Sequence, residues 1–411
     1  LKVFQTLELA VRQNLQVLFS AGFLFWVSLA SLLPTMPLYI QSVGGNSQQI
    51  GLVMGCFSIG LLVSRGYLAK LADFRGRKIV LLIGMAAVAI APIGYALTAS
   101  IPLLMVIRAF HGLSIAAFAL AYSALVVDLS PPQQRGELIG YMSLVNPIGM
   151  GLGPALGGTV HQWAGYGWAF ATAAVVGGVG ILFTARVQES HLHNEIGDRS
   201  SKQPFWRMLG YPKIRIPALV LMLIGFSFGT LVTFVPLLML EVGVSLNVGL
   251  FYSAAAIASF GIRLLVGRAS DVYGRGLFIT ISLILYTLAM VLLWRASSAL
   301  GFLIAGFLEG GGAGILIPMM AALMADRSHA DERGRTFSLC MVGFDLGIAL
   351  AGPVLGWLAL YLGYKTVFGL SAGLSFLALA VFVTLSGRNL SNSWKFALGR
   401  DKDVYAVEPG Q

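Results

Sequence analysis

Of the seventeen acidic residues in this 411-residue chain, Glu309 and Asp345 stand deep inside long apolar runs. At 1.5 Å of rise per residue, Glu309 lies about 13 Å from the start of the run 300–326, and Asp345 about 16 Å from the start of 334–362. A bilayer's hydrocarbon core is about 30 Å thick, so helices crossing it would carry both carboxylates near the midplane. A carboxylate at that depth is costly to ionise and is suited to taking up and releasing a proton. Asp345 also reads as a structural hydrogen-bond partner, which leaves Glu309 as the stronger candidate for protonation or for recognising a cation.

Arg108 and His111 share the run 101–128. Arg108 either snorkels toward the nearer interface or stands as a fixed cation among apolar neighbours. His111 either titrates near neutral pH or is a satisfied polar group packed in the bundle. Cys56 and Cys340 also lie in apolar runs and read as small packing residues, not as a disulfide. No metal-ligand spacing, Ser-His-Asp set or Gly-Lys-Ser/Thr phosphate loop occurs, so no enzyme, metal site or cofactor is expected.

The elements that must position these groups follow from composition. Hydrophobic residues make up 57% of the chain and charged ones 11%, with a mean hydropathy of +0.83; a soluble domain carries roughly a quarter charged residues. Apolar runs cover 16–40, 49–72, 79–98, 101–128, 135–164, 166–188, 214–241, 247–270, 276–296, 300–326, 334–362 and 366–386. Runs this long and continuous exclude a β-barrel of short alternating strands and predict an all-α membrane protein with twelve transmembrane helices. The polar stretch 189–213 separates a first six-helix bundle, 1–188, from a second, 214–386, and 387–411 is a polar tail. The first run reads as a retained span, not a cleavable leader.

The net charge of +10 does not point to nucleic acid, because the basic residues are scattered between runs. Arg75, Arg77, Lys78, Arg135, Arg199, Lys202, Arg207, Arg275, Arg327, Arg333, Arg335 and Arg388 mark one face, while 41–48, 162–165 and 242–246 hold no Lys or Arg and only Arg295 and Lys365 fall near the opposite face. The positive-inside rule then puts both termini and the linker 189–213 in the cytoplasm of a cell whose inner membrane holds the chain.

The two halves repeat. Asp73-x-x-Gly76-Arg77 recurs as Asp271-x-x-Gly274-Arg275, and Asp128 with Arg135 recurs as Asp326 with Arg333, all shifted by 198 residues. Gly153-Pro154 recurs as Gly352-Pro353, shifted by 199. In the same register Glu309 stands opposite His111, and Asp345 opposite Asn146. Two parallel pseudo-symmetric bundles imply a substrate site near the bilayer midplane and alternating access to it.

These motifs resemble the major facilitator superfamily. The loop Ala69-Lys-Leu-Ala-Asp73-Phe-Arg-Gly76-Arg77-Lys78 is similar to that family's signature after the second helix, with Ala69 in place of its first Gly. Arg108-Ala-Phe-His111-Gly112 resembles its fourth-helix motif, in which the Arg is associated with proton coupling. Gly149-Met-Gly-Leu-Gly153-Pro154-Ala-Leu-Gly157-Gly158 matches G-x-x-x-G-P-x-x-G-G, associated with antiporters and drug-efflux members.

The resemblance implies a transporter of the 12-helix drug:proton antiporter or small-solute efflux group, working as a monomer on protons and a small organic or amphiphilic solute. Asp73, Arg77, Asp128 and Arg135 would form one cytoplasmic gate, and Asp271, Arg275, Asp326 and Arg333 the other. Glu309, Asp345, Arg108, His111 and Asn146 would serve coupling or the substrate cavity. Many multidrug members place an acid in the first helix; 16–40 has none. An importer or facilitator, and a lipid or lysolipid transporter, are the alternatives on this fold.

Overall fold

The computed structural model describes residues 7–131, 133–189, 210–329 and 332–407. The chain divides into two compact units, Leu1–Arg199 with Asn247–Ser253, and Ser200–Leu246 with Ala254–Gln411. The first unit holds α1 (Leu9–Ser31), α2 (Met36–Ser42), α3 (Ser47–Arg75), α4 (Arg77–Ala96), α5 (Ile101–Leu129), α6 (Arg135–Met142) and α7 (Val145–Arg186). The second holds α8 (Pro212–Glu241), most of α9 (Val248–Tyr273), α10 (Arg275–Arg295), α11 (Ala299–Asp326), α12 (Arg333–Leu385) and α13 (Leu390–Ala397).

Nine stretches of the described residues are long and apolar enough to cross a membrane. Two of them, Arg135–Arg186 and Arg333–Leu385, run to 52 and 53 residues, where about 20 suffice. Each is broken by a glycine in left-handed backbone, Gly165 (φ 81°) and Gly363 (φ 73°). Counting each as two spans, and adding the apolar start of α9, Val248–Arg263, gives the twelve expected crossings.

Boundaries differ from the sequence reading where proline or turn residues intervene. The first span starts earlier, at Leu9, and is interrupted between α1 and α2 at residues 32–35. Pro34 and Pro37 have no amide hydrogen to continue the ladder there. The run 135–164 is likewise interrupted, at Ser143–Leu144.

The repeat is written into the backbone. Among the described residues every positive-φ position is a glycine, and six of the seven pair across the halves: Gly44 with Gly243, Gly76 with Gly274 and Gly165 with Gly363. Only glycine adopts this backbone without steric penalty, so these positions fix where each half turns. Packing repeats as well. In the first unit α7 lies on α1, and α4 touches both α5 and α7; in the second α12 lies on α8, and α10 touches both α11 and α12. One hydrogen bond recurs in register: Ser28 Oγ donates to the Ala173 carbonyl at 2.8 Å, and Ser227 Oγ to the Ser371 carbonyl at 3.3 Å.

The tail, read from sequence as a polar segment, is folded onto the second unit. Arg327, just past α11, is fully buried. Its Nε donates to Asp403 Oδ2 at 2.6 Å and its second terminal nitrogen to Asp403 Oδ1 at 3.0 Å. The guanidinium also donates to the carbonyls of Lys213 and Ser386, each at 3.0 Å. The Val407 amide reaches the Asp326 carbonyl at 2.9 Å, and Thr280 Oγ1 reaches that of Ala397 at 2.9 Å. One buried charge thus ties the starts or ends of α8, α11 and α12 to the tail.

Removing one member of such a pair leaves a buried charge uncompensated. Asp403→Ala is therefore expected to destabilise the purified protein by about 3–5 kcal/mol, read as a lowered thermal or denaturant midpoint. The double variant Arg327→Met, Asp403→Leu should recover part of that loss. An unchanged midpoint in Asp403→Ala would count against the clamp.

Candidate functional site

Glu309 is the eleventh residue of α11 and is 5% exposed. Along a 28-residue helix this places it about 5 Å from the helix midpoint. Its carboxylate meets the hydroxyl of Tyr286 on α10, and Oε1 has no hydrogen-bond partner. Neighbouring glycines allow this enclosure. A Cβ on Gly310 would run into the Ala255 carbonyl of α9, and one on Gly312 would lie 2.9 Å from the Tyr286 ring. Both flanking helices can therefore press against α11 at the level of the acid. Tyr286 escaped the sequence reading; a tyrosine inside an otherwise apolar run was the available signal.

Asp345, on α12, is 7% exposed. It sits where α8 and α12 approach closely: a Cβ on Gly343 would strike the Ala218 carbonyl, and one on Gly347 that of Met222. From the other side, a Cβ on Gly225 would strike the Phe344 carbonyl. Asn146, its counterpart, occupies the first turn of α7, just after the break at Ser143–Leu144, and is half-buried. The second half has no such break, so matching sequence positions occupy different local structure.

Arg108 and His111 are buried on α5. The guanidinium lies over the Phe57 ring, 4.6 Å from its centroid, and meets the Tyr95 hydroxyl. That hydroxyl is 3.1 Å from His111 Nδ1. Arg108 therefore does not snorkel; it is held among aromatic groups of α3 and α4. A Cβ on Gly112 would collide with the Phe57 carbonyl, the counterpart of the Gly310–Ala255 approach.

The expected gate clusters form in part. Arg77 is ion-paired with Asp128, and Arg275 with Asp326 at 3.2 Å, while also donating to Ser270 Oγ at 2.9 Å. Asp73, Arg135 and Arg333 are exposed. The side chain of Asp271 lies outside the described residues. The carboxylate that accepts from a helix N-terminus in the first unit is not Asp73 but Glu189, which takes the amides of Arg77 at 2.6 Å and Lys78 at 3.2 Å. Gly76 stands against it: a Cβ there would lie 2.7 Å from Glu189 Oε2.

In the glycine-rich stretch of α7, Gly149, Gly153 and Gly157 form one stripe against α1, where added Cβ atoms would meet Trp26, Val27 and Ser31. Gly158 faces Asn247, just ahead of α9 in the segment that belongs to the same unit, and Gly249 closes on the Pro154 carbonyl. The motif's spacing is a close-packing surface. The aromatics Phe25 and Tyr122 pack within the first unit: Phe25 stacks on Phe118 at 3.8 Å, and Tyr122 Oη donates to the Met142 carbonyl at 2.9 Å.

Two in-register repeats of membrane-length helices, with ionisable groups buried in mid-helix, define a multi-pass membrane protein of the transporter class. A family model for the Major Facilitator Superfamily matches residues 18–274 and 248–407, and the chain belongs to that superfamily. It is similar to the quinolone resistance protein NorA of Staphylococcus aureus (strain Mu50 / ATCC 700699), 26% identical over 152 residues, which cover 37% of this chain and 39% of that protein. It is also similar to the multidrug resistance protein MdtG of Klebsiella pneumoniae (strain 342), 25% identical over 390 residues, 92% of this chain and 94% of that one. Among solved structures, a point mutant of the nucleoside transporter NupG superposes with a TM-score of 0.77 at 16% identity, covering 90% of this chain and 100% of that one. A POT family transporter in complex with a thioalcohol-conjugated peptide gives 0.73 at 13% identity, covering 90% and 95%. At such identities the structures establish the fold alone.

Two adjacent glycines give a sharp test of the packing around Glu309. Gly310→Ala should cost about 1–3 kcal/mol, because its Cβ meets a backbone carbonyl. Gly311→Ala meets only Leu285 Cδ1 at 3.5 Å and should be close to neutral in thermal denaturation. Equal effects would contradict the helix approach described.

Proposed function

We propose that this chain is a proton-coupled exporter of a small organic or amphiphilic solute, in the inner membrane of its cell with both termini cytoplasmic. The observation that carries this reading is Glu309: a carboxylate buried near the middle of a membrane helix, with one oxygen unpartnered. Such a group is suited to being protonated from one side of the membrane and released to the other. The resistance proteins named among its relatives and the glycine–proline stripe of α7 support the outward direction. The sparse, ion-paired cytoplasmic motif supports a gate in which Arg77–Asp128 and Arg275–Asp326 open and close during the cycle. Glu309 would carry the proton, with Tyr286 holding its carboxyl in place; Asp345 and Asn146 would each serve coupling or solute binding in its own unit.

A thermal-shift screen of the purified protein against drugs, sugars, metallophores and lysolipids identifies a stabilising solute for transport. Inside-out vesicles should accumulate that solute when their lumen is acidic and lose it when the gradient is collapsed. Glu309→Gln should abolish gradient-driven accumulation while leaving expression and melting behaviour near wild type. Accumulation that persists in Glu309→Gln sinks the assignment of the proton carrier, and uptake independent of the gradient sinks antiport.

A further inference from the structure

Arg108, His111 and Ser114 recur every third residue on one face of α5, and their exposures are 5%, 0% and 0%. Each carries a buried polar atom without a hydrogen-bond partner: Arg108 Nε, His111 Nε2 and Ser114 Oγ. The neighbours decide what kind of atom each orphan is. A guanidinium only donates, so the Tyr95 hydroxyl beside it accepts with its oxygen and turns its proton to His111 Nδ1, 3.1 Å away. An imidazole whose Nδ1 accepts carries its hydrogen on Nε2. The orphans at 108 and 111 are therefore both N–H donors, and Ser114 adds a hydroxyl that can donate beside them.

This row offers a fixed positive charge and two further donors along one helix, and the described residues of its unit supply no nearby anion. The described acidic residues of the first unit are Glu8, Asp73, Asp128, Glu137 and Glu189, all at helix ends. Asp128, on the same helix, is twenty residues away, about 30 Å along the axis. The Phe57 ring face compensates a cation by about 0.5–2 kcal/mol, far less than the cost of burying a charge without a counter-ion. Helices α1 and α2 hold no acidic residue that would favour a cationic solute.

We propose that this row is an anion site, where a carboxylate or comparable compact oxyanion of the transported solute docks on Arg108 with His111 and Ser114 donating alongside. The proposal rests on the reading of the chain as a solute exporter and names the chemical class of that solute. Charge-assisted hydrogen bonds to a guanidinium are short, strong and geometrically selective, so the site discriminates charge as well as shape.

Purified full-length protein, titrated with benzoate, with its neutral isostere benzamide and with chloride while melting is followed, tests this. Benzoate should stabilise the wild type saturably, benzamide should not, and chloride should compete weakly. Arg108→Gln should weaken benzoate by about ten- to a hundredfold, the loss expected for a charge-assisted hydrogen bond. Arg108→Lys, which keeps the charge, should retain the preference for benzoate over benzamide. The wild-type comparison of benzoate with benzamide stands even if a variant fails to fold. Equal effects of benzoate and benzamide, an undiminished benzoate response in folded Arg108→Gln, or saturable stabilisation by chloride alone each overturn the carboxylate site. Benzoate selectivity in a protein that shows no proton coupling would support this site while overturning the export reading. Coupled transport without anion selectivity would overturn this site alone.

Discussion

Inside hydrocarbon a peptide group has no water to bond, so each crossing segment must satisfy its own amides and carbonyls as a helix. Once that is met, apolar side chains gain little by leaving lipid for one another, and the helices must hold together by close contact. That constraint explains the glycines of this chain. Gly112, Gly157, Gly310 and Gly347 each stand where a neighbouring helix brings a backbone carbonyl into the space of a missing Cβ. The left-handed glycines do the complementary work of turning the chain between crossings, as at Gly165 and Gly363 inside otherwise uninterrupted helices.

The same frame is therefore laid down twice, and it leaves the polar side chains free to differ. His111 and Glu309 each precede a glycine that lets a neighbouring helix in, yet one belongs to a chain of donors and the other is an acid held by a tyrosine. Ser282 Oγ donates to the Gly312 carbonyl at 2.8 Å, whereas the matching positions, Gly84 and Ser114, exchange the small and the polar residue and leave Ser114 Oγ unpartnered. A repeat that conserves close contacts can thus assign cation and donors to one unit and carboxylates to the other.

The helix ends use ordinary aqueous-style chemistry, and in each unit described residues past the last long helix pack against the start of α4 or α10. After α7, Glu189 accepts the first amides of α4, which complements the partial positive charge of a helix N-terminus. After α12, the Phe396 carbonyl region closes on Gly276, at the first turn of α10, and Arg327 fastens the tail. The Arg77–Asp128 and Arg275–Asp326 pairs sit beside these anchors, at helix ends fixed by other contacts.

Hydropathy, the spacing of Lys and Arg, and the shift of 198 residues between motifs determined that this is an all-α membrane protein of repeated halves, because lipid burial acts on every residue of a span and leaves a long, regular signal. The depth of Glu309 and Asp345 was legible for the same reason: distance along a helix is proportional to residue number. The tertiary structure alone decided which side chain meets which. Tyr286 at Glu309, Tyr95 between Arg108 and His111, Glu189 at the start of α4 and Asp403 on Arg327 all pair residues far apart in sequence or on different helices. Such partners depend on how helices rotate about their axes and how closely they approach, and periodicity does not encode either. Arg108 of α5 shows both sides: its type and depth are plain in the sequence, but only packing against α3 and α4 decided that it is buried with donors to spare.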